Sequence, residues 1–457
     1  MIPVLYLLLL LCISSPPIAQ ASTTSTKSKN VCSGHRVDVA LSSAAWLPLN
    51  HRHGPCSPFP SSEKIPSTSD VLRRDRLRVN SIWRGLSGRS SAVAKRGDDD
   101  ATVPTTLGTS LNTLEYVVTV GLGTPAVNQT LHVDTGSDVS WVQCRRCPVP
   151  TACHRQNDPL FDPAKSSTYS PVPCGSAACR NLGSDLDANG CSGSGRRRDC
   201  KFVVTYGDGS NTNGTYSADK LTLNSAAHAV DGFRFGCSHA AQQFGADRAA
   251  GLLGLGGGKP SLVSQTKEEA FSYCLPPSAS YSGFLTLGAP PRSGFAVTPM
   301  YRRSDVGDTY YFVHLQAIVV AGRRLRIPTT AFAAGAVMDS GTVVTRLPPA
   351  AYRALRAAFR KEMRAYPRAP PPSQIFDTCY NLTNSGDDVK VPSVALVFDR
   401  GATVELDRSG IILNGCLAFA SNGDEASFGI IGNVQQRTFE VLYDIGGGAV
   451  GFRPGAC

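Results

Sequence analysis

The chain has 457 residues, 42% apolar and 18% charged, with a formal net charge of +10. That length exceeds one ordinary domain, leaves room for two lobes with real cores, and the composition excludes a disordered chain. The charge is uneven: Ser22–Asp100 holds 13 basic and 7 acidic residues, whereas Ala101–Cys457 holds 32 and 28, so the body is only mildly basic.

The N-terminus carries the apolar run "VLYLLLLLCI", then the small-x-small pattern Ala19-Gln20-Ala21. This predicts a secretory signal over residues 1–21. A membrane anchor is the alternative, but the run is short for a span and Pro16-Pro17 follow it. Residues 22–100 read as a pro-region. It contains a helix candidate, "DVLRRDRLRVNSIWRGL", with Val71, Leu72, Leu77, Val79, Ile82 and Trp83 at helical spacing and basic residues on the other face. The polar "SGRSSAVAKRGDDD" after it suits a cleavable linker. Either the helix is a solvated surface element, or it is a basic inhibitor lying over an acidic cleft. We expect the second, because everything after it reads as a complete fold.

From Leu114 onward the pattern is mostly β, with abundant Gly and Pro at turns. Strand candidates are "EYVVTVGLGTP", "QTLHVDTGS", "KFVVTYGDGS", "GTYSADKLTL", "FRFGCS", "YYFVHLQAIVVAGRRL" and "SVALVFD". The best internal helix is "PAAYRALRAAFRKEMRAY", with Tyr352, Leu355, Phe359 and Met363 on one face. A repeat of motif order is present. An apolar strand leads into Asp134-Thr135-Gly136-Ser137, with "GLLGLG" later; another leads into Asp339-Ser340-Gly341-Thr342, with "GIIGN" later. Two lobes of similar build, each offering one aspartate at their junction, would give this order.

Two carboxylates facing each other cannot both ionise, so they share a proton and titrate as a pair. Such a pair can activate a water and protonate a scissile carbonyl with no metal or cofactor. The glycines Gly136 and Gly341 allow close backbone approach. Thr135 and Ser340 can brace one turn against the other, and Ser137 and Thr342 can hydrogen-bond the outer carboxylate oxygens. Two ordinary surface turns are the competing reading. A D-[ST]-G-[ST] string arises on the order of once in 20,000 positions, and here it occurs twice in matched contexts.

Fifteen cysteines, one of them (Cys12) in the signal, point to disulfides. "QCRRCPVPTAC" could suggest zinc, but no paired His motif accompanies it, so bridges are expected and no metal. Sequons at Asn128, Asn213 and Asn381 are glycosylation acceptors on a secretory route.

The motifs "VDTGSDVSWVQC", "YGDGS", "GLLGLG", "MDSGT" and "GIIGNVQQRTFEVLYD", in that order, resemble a pepsin-like aspartic protease of the plant nepenthesin-like branch, from about Leu114 to Cys457. The resemblance implies a bilobal, mostly β acid-protease fold with a few short helices. It implies a pseudo-twofold between lobes over 101–300 and 301–457, and a cleft between them. Asp134 and Asp339 would be catalytic. Tyr206 would be the flap tyrosine and Trp141 its hydrogen-bond partner; without the family, both would read as core aromatics. The implied bridges are Cys144–Cys147, Cys153–Cys237, Cys174–Cys200, Cys179–Cys191, Cys274–Cys457 and Cys379–Cys416, a choice spacing alone cannot make. The expected function is an acid-active endopeptidase, a monomer made as a zymogen with its pro-region bound in cis, acting on peptide or protein substrates. The apoplast is the expected location, with vacuole and chloroplast as alternatives.

Two other functions compete. Plant xylanase inhibitors and seed globulins resemble these proteases but have lost catalytic parts; here both Asp-x-Gly turns and Tyr206 are intact. Some members resemble a chloroplast DNA-binding protease, and Arg196-Arg197-Arg198 is the one basic triplet of the body. A solvated loop is the better reading of that triplet, so nucleic acid is not an expected partner.

Overall fold

The structure is a computed structural model describing residues 45–59, 66–91, 115–182, 190–191, 199–206, 210–224, 228–242, 244, 247–266, 268–290, 293–303, 307–383 and 389–457. The expected signal segment 1–21, the expected linker beyond Ser91, residues 207–209 and the triplet Arg196–Arg198 lie outside these residues.

The first described strand, β1 (Ala45–His51), lies in the expected pro-region and was not foreseen. Its alternation buries Ala45, Leu47 and Leu49, as a strand with one face on a core requires. It lies in the main sheet, which has 15 strands among the described residues, between Ser282–Leu287 and β2 (Tyr116–Leu122). The second element of that segment is α1 (Thr68–Ser91).

β2 turns through Gly123, at a φ of +90°, into the antiparallel β3 (Val127–Asp134). β3 delivers Asp134 at its C-terminal end. It pairs in parallel with Gly251–Gly254, Leu131 opposite Gly251 and Asp134 opposite Gly254. The chain leaves the Asp134 turn and returns as β4 (Trp141–Gln143), antiparallel to that same glycine-flanked strand. The second lobe repeats the arrangement. Ala336–Met338 runs parallel to Gly429–Ile431, and Thr345–Leu347 returns antiparallel to it. The repeat of motif order is thus a repeat of topology. The last two strands, Glu440–Asp444 and Ala449–Arg453, cross back into the main sheet beside Ala270–Cys274 and so tie the lobes together.

Two expected elements end differently. "YYFVHLQAIVVAGRRL" divides at His314 into Gly307–Val313 and Leu315–Val320, which enter different sheets. The helix begins at Pro349 and stops at Glu362, with Met363 as its C-cap; Tyr352, Leu355 and Phe359 are buried as expected.

Four of the six expected bridges are wrong, while Cys274–Cys457 and Cys379–Cys416 are present. Cys144 bonds to Cys237, not Cys147. It follows β4, whose parallel neighbour carries Cys237, and the two Cα atoms are 5.5 Å apart. Cys147 instead closes its own short loop with Cys153. Cys191 and Cys200 stand opposite each other in a hairpin. Each reaches outward, Cys191 to Cys174 and Cys200 to Cys179, the reverse of the expected Cys174–Cys200 and Cys179–Cys191.

Candidate active site

Each aspartate is held by its own turn. The Gly136 N–H donates to Asp134 Oδ1 at 3.0 Å, and the Ser137 hydroxyl to Oδ2 at 2.8 Å. On the other side the Gly341 N–H donates to Asp339 Oδ1 at 3.1 Å, and the Thr342 hydroxyl to Oδ2 at 2.5 Å. The two turns lock reciprocally. Thr135 N–H donates to Ser340 Oγ at 3.1 Å, and Ser340 N–H donates to Thr135 Oγ1 at 2.9 Å. Both carboxylates are fully buried.

They are bridged by a residue the sequence reading placed wrongly. Arg78 lies on the buried face of α1, not on the basic outer face, and is 0% exposed. Its Nη2 donates to Asp134 Oδ1 at 2.8 Å and to Asp339 Oδ1 at 2.5 Å, and its Nε to Asp339 Oδ2 at 3.0 Å. Burial alone would lower the guanidinium pKa, but the two aspartates outweigh it and push it up. The glycines make the room: a Cβ on Gly341 would stand 2.1 Å from Arg78 Nη2.

The rest of the helix follows the same face. Leu72 packs among Val343, Val344, Phe376 and Val434; Val79 and Ile82 pack among Tyr310, Phe312, Val337, Phe428 and Ile430. One turn before Arg78, the buried Asp75 accepts from the Val343 N–H at 2.6 Å and from Arg346 Nη2. Burial raises the Asp75 pKa against the pull of Arg346. Farther back, at the end of β1, His51 pairs with Glu115 at 3.2 Å and Arg52 with Asp247 at 3.5 Å. His132 holds the other oxygen of Asp247 at 2.8 Å.

Trp141 Nε1 donates to the Tyr206 hydroxyl at 2.5 Å, and the Phe244 ring packs against both. Beneath the turns, Tyr273 donates to Gln436 and contacts the Tyr443 hydroxyl at 2.9 Å. Asp138, four residues after Asp134, accepts from Gly258 N–H at 2.8 Å and from the Thr309 hydroxyl at 2.6 Å. These supports were missed because no local pattern marks them. The signals available were Asp138 in "VDTGSDVSWVQC" and Gln436 and Tyr443 in "GIIGNVQQRTFEVLYD". Asn128, Asn213 and Asn381 are all exposed. Among the described residues no group of three or more His, Cys, Asp or Glu could hold a metal, and no helix is long and apolar enough to cross a membrane.

Residues 116–289 match the family described as Xylanase inhibitor N-terminal, and residues 310–454 match Xylanase inhibitor C-terminal. An Arabidopsis thaliana protein named as an aspartyl protease family protein is 43% identical, over 92% of this chain and 88% of its own length. Aspartic proteinase nepenthesin-2 of Nepenthes gracilis is 35% identical, over 75% of this chain and 78% of its own. The crystal structure of edgp superimposes with a TM-score of 0.63 at 21% identity, covering 92% of this chain and 96% of that one. The crystal structure of Basic 7S globulin from soybean gives 0.58 at 20% identity, over 76% and 92%. Those two structures show the fold alone.

Proposed function

The chain belongs to the pepsin-like plant aspartic protease family and is an aspartic endopeptidase, and from that premise we propose that it is made as a latent precursor whose α1 blocks its own catalytic pair. The observation that carries this is the single Arg78 nitrogen within hydrogen-bond reach of both Asp134 and Asp339.

Once α1 leaves, the place of the guanidinium is open to water and a peptide. One aspartate is ionised and the other protonated. The ionised carboxylate takes a proton from water as its oxygen attacks the scissile carbonyl carbon. The protonated one gives its proton to the carbonyl oxygen, forming a gem-diol. As the diol collapses the C–N bond breaks, and the leaving nitrogen takes a proton from the carboxyl pair. Thr135 and Ser340 fix the spacing of the turns, Ser137 and Thr342 hold the outer oxygens, and Gly136 and Gly341 keep the centre clear. Tyr206, tethered to Trp141, closes over the bound peptide and excludes water.

The remaining assignments follow the same route. Residues 1–21 are removed as a signal and 22–100 act as the pro-region in cis. The disulfides suit an oxidising compartment, which supports the secretory route over the chloroplast. The exposed Asn128, Asn213 and Asn381 are the glycosylation sites, and the enzyme works as a monomer. The test is hydrolysis of acid-denatured protein by the matured enzyme. Pepstatin should inhibit it, and Asp134→Asn or Asp339→Asn should abolish it; undiminished cleavage by either variant rejects the mechanism.

A further inference from the structure

We propose that Arg346 is the specificity-determining group of a substrate subsite that takes an acidic side chain, Asp or Glu, of the peptide. The inference rests on the reading of α1 as a removable leader.

Arg346 sits in the strand Thr345–Leu347, just beyond the Asp339 turn, and is 4% exposed. Its charge is met by Asp75 of α1, and its Nε has no hydrogen-bond partner among the described residues. The other charged or titratable groups that act on it are Arg76 of α1, which repels it, and Tyr352. A second donor converges on the same carboxylate: the Val343 N–H reaches Asp75 Oδ1 at 2.6 Å, while Arg346 takes Oδ2. The wall therefore presents a fixed guanidinium and a fixed backbone N–H to the two oxygens of one carboxylate. That carboxylate belongs to a residue one helical turn from Arg78, so the subsite adjoins the catalytic pair.

Removing α1 removes Asp75 and leaves both donors facing the cleft. A guanidinium cannot shed its proton to escape burial, so it selects a counter-charge from whatever enters. A cavity of about 330 Å³ beside α1, lined by Arg346, Tyr352, Ile375, Asp377 and Asn422 of the body, widens as Val79 and Trp83 withdraw; Asp377 is already held there by the Tyr352 hydroxyl and Arg356. An acidic side chain from a substrate recreates the contacts that Asp75 makes in the precursor. A neutral amide cannot, because it loses the charge and one acceptor.

The test uses full-length protein matured in acid, with loss of α1 checked by N-terminal sequencing. Peptide sets place Asp, Asn or Lys at each position flanking the cut. We expect one position to favour Asp over Asn by about 10- to 100-fold in kcat/KM at about pH 5, where a peptide carboxyl is ionised. That ratio should fade as the peptide carboxyl protonates in stronger acid. Arg346→Gln should bring it near one, and Arg346→Glu should turn the preference toward Lys. If a variant fails to fold, the wild-type ratio and its pH dependence decide the question alone. Cleavage without acidic preference, or a preference that survives in Arg346→Gln, overturns the inference and leaves the proteolytic reading standing. If no peptide is cut, or α1 is never lost, both readings fall.

Discussion

Replacing Arg78 by Leu should unlock the precursor without acid. The guanidinium is wholly buried and makes three hydrogen bonds, of 2.5, 2.8 and 3.0 Å, to the two carboxylates. Removing one partner of a buried ion pair costs about 3–5 kcal/mol. Asp134 and Asp339 can recover part of that by sharing a proton once the cation is gone, which argues for the lower end, about 3 kcal/mol. The covered form would then lose about 100-fold in population against the open form. The assay is cleavage of a fluorogenic peptide by full-length protein at near-neutral pH, with electrophoresis showing the leader still attached. We expect the variant to exceed wild type by about 100-fold. A folded Arg78→Leu chain, leader intact and no more active than wild type, would refute the lock.

His53 should set part of the pH response. Burial, then Arg52, lowers its pKa from 6.5 to about 4, against Glu115 and Asp247, with His51 adding to the lowering. Its neutral form is favoured with the leader docked, so docking is strongest above about 6.5 and weakens as pH falls toward about 4. The side chain is only partly buried, so screening limits the effect to about 1 kcal/mol, and His53→Gln should flatten leader loss against pH across that window. Gly341→Ala would put a Cβ 2.1 Å from Arg78 Nη2 and should lower the denaturant-unfolding free energy of the full chain by about 1–3 kcal/mol. Non-reducing peptide mapping should recover Cys144–Cys237 and Cys147–Cys153, and a Cys144–Cys147 peptide would restore the rejected pairing.

The parts of the site that were readable in the sequence are those whose partners are close in the chain. Gly136 and Ser137 bond Asp134 from two and three residues away, as Gly341 and Thr342 bond Asp339, so a four-letter string carries the whole arrangement. Arg78 was hidden because helical spacing sorts residues by polarity. Its burial is stable only through carboxylates 56 and 261 residues onward. Asp75 and Arg346 escaped for the same reason, each a charge tolerated inside because of the other. β1 has apolar alternation, yet its main partner strand is Ser282–Leu287, too distant for local pattern to reveal. The disulfides turned on which neighbouring strand each cysteine faces, and spacing does not encode that.

α1 and β1 share a leader but resist departure differently. The helix lies on the wall of the second lobe and can lift off once its charges are released. The strand is stitched on both sides, with six residues, Ala45 to Asn50, opposite Leu287 to Ser282, and a shorter seam to β2. Pulling it out would bare two rows of peptide groups and the side chains of Leu47 and Leu49. A nick on each side of α1 would thus free the helix and open the cleft while the strand stays woven in. Discarding that strand requires another length of chain to take over the vacated lane.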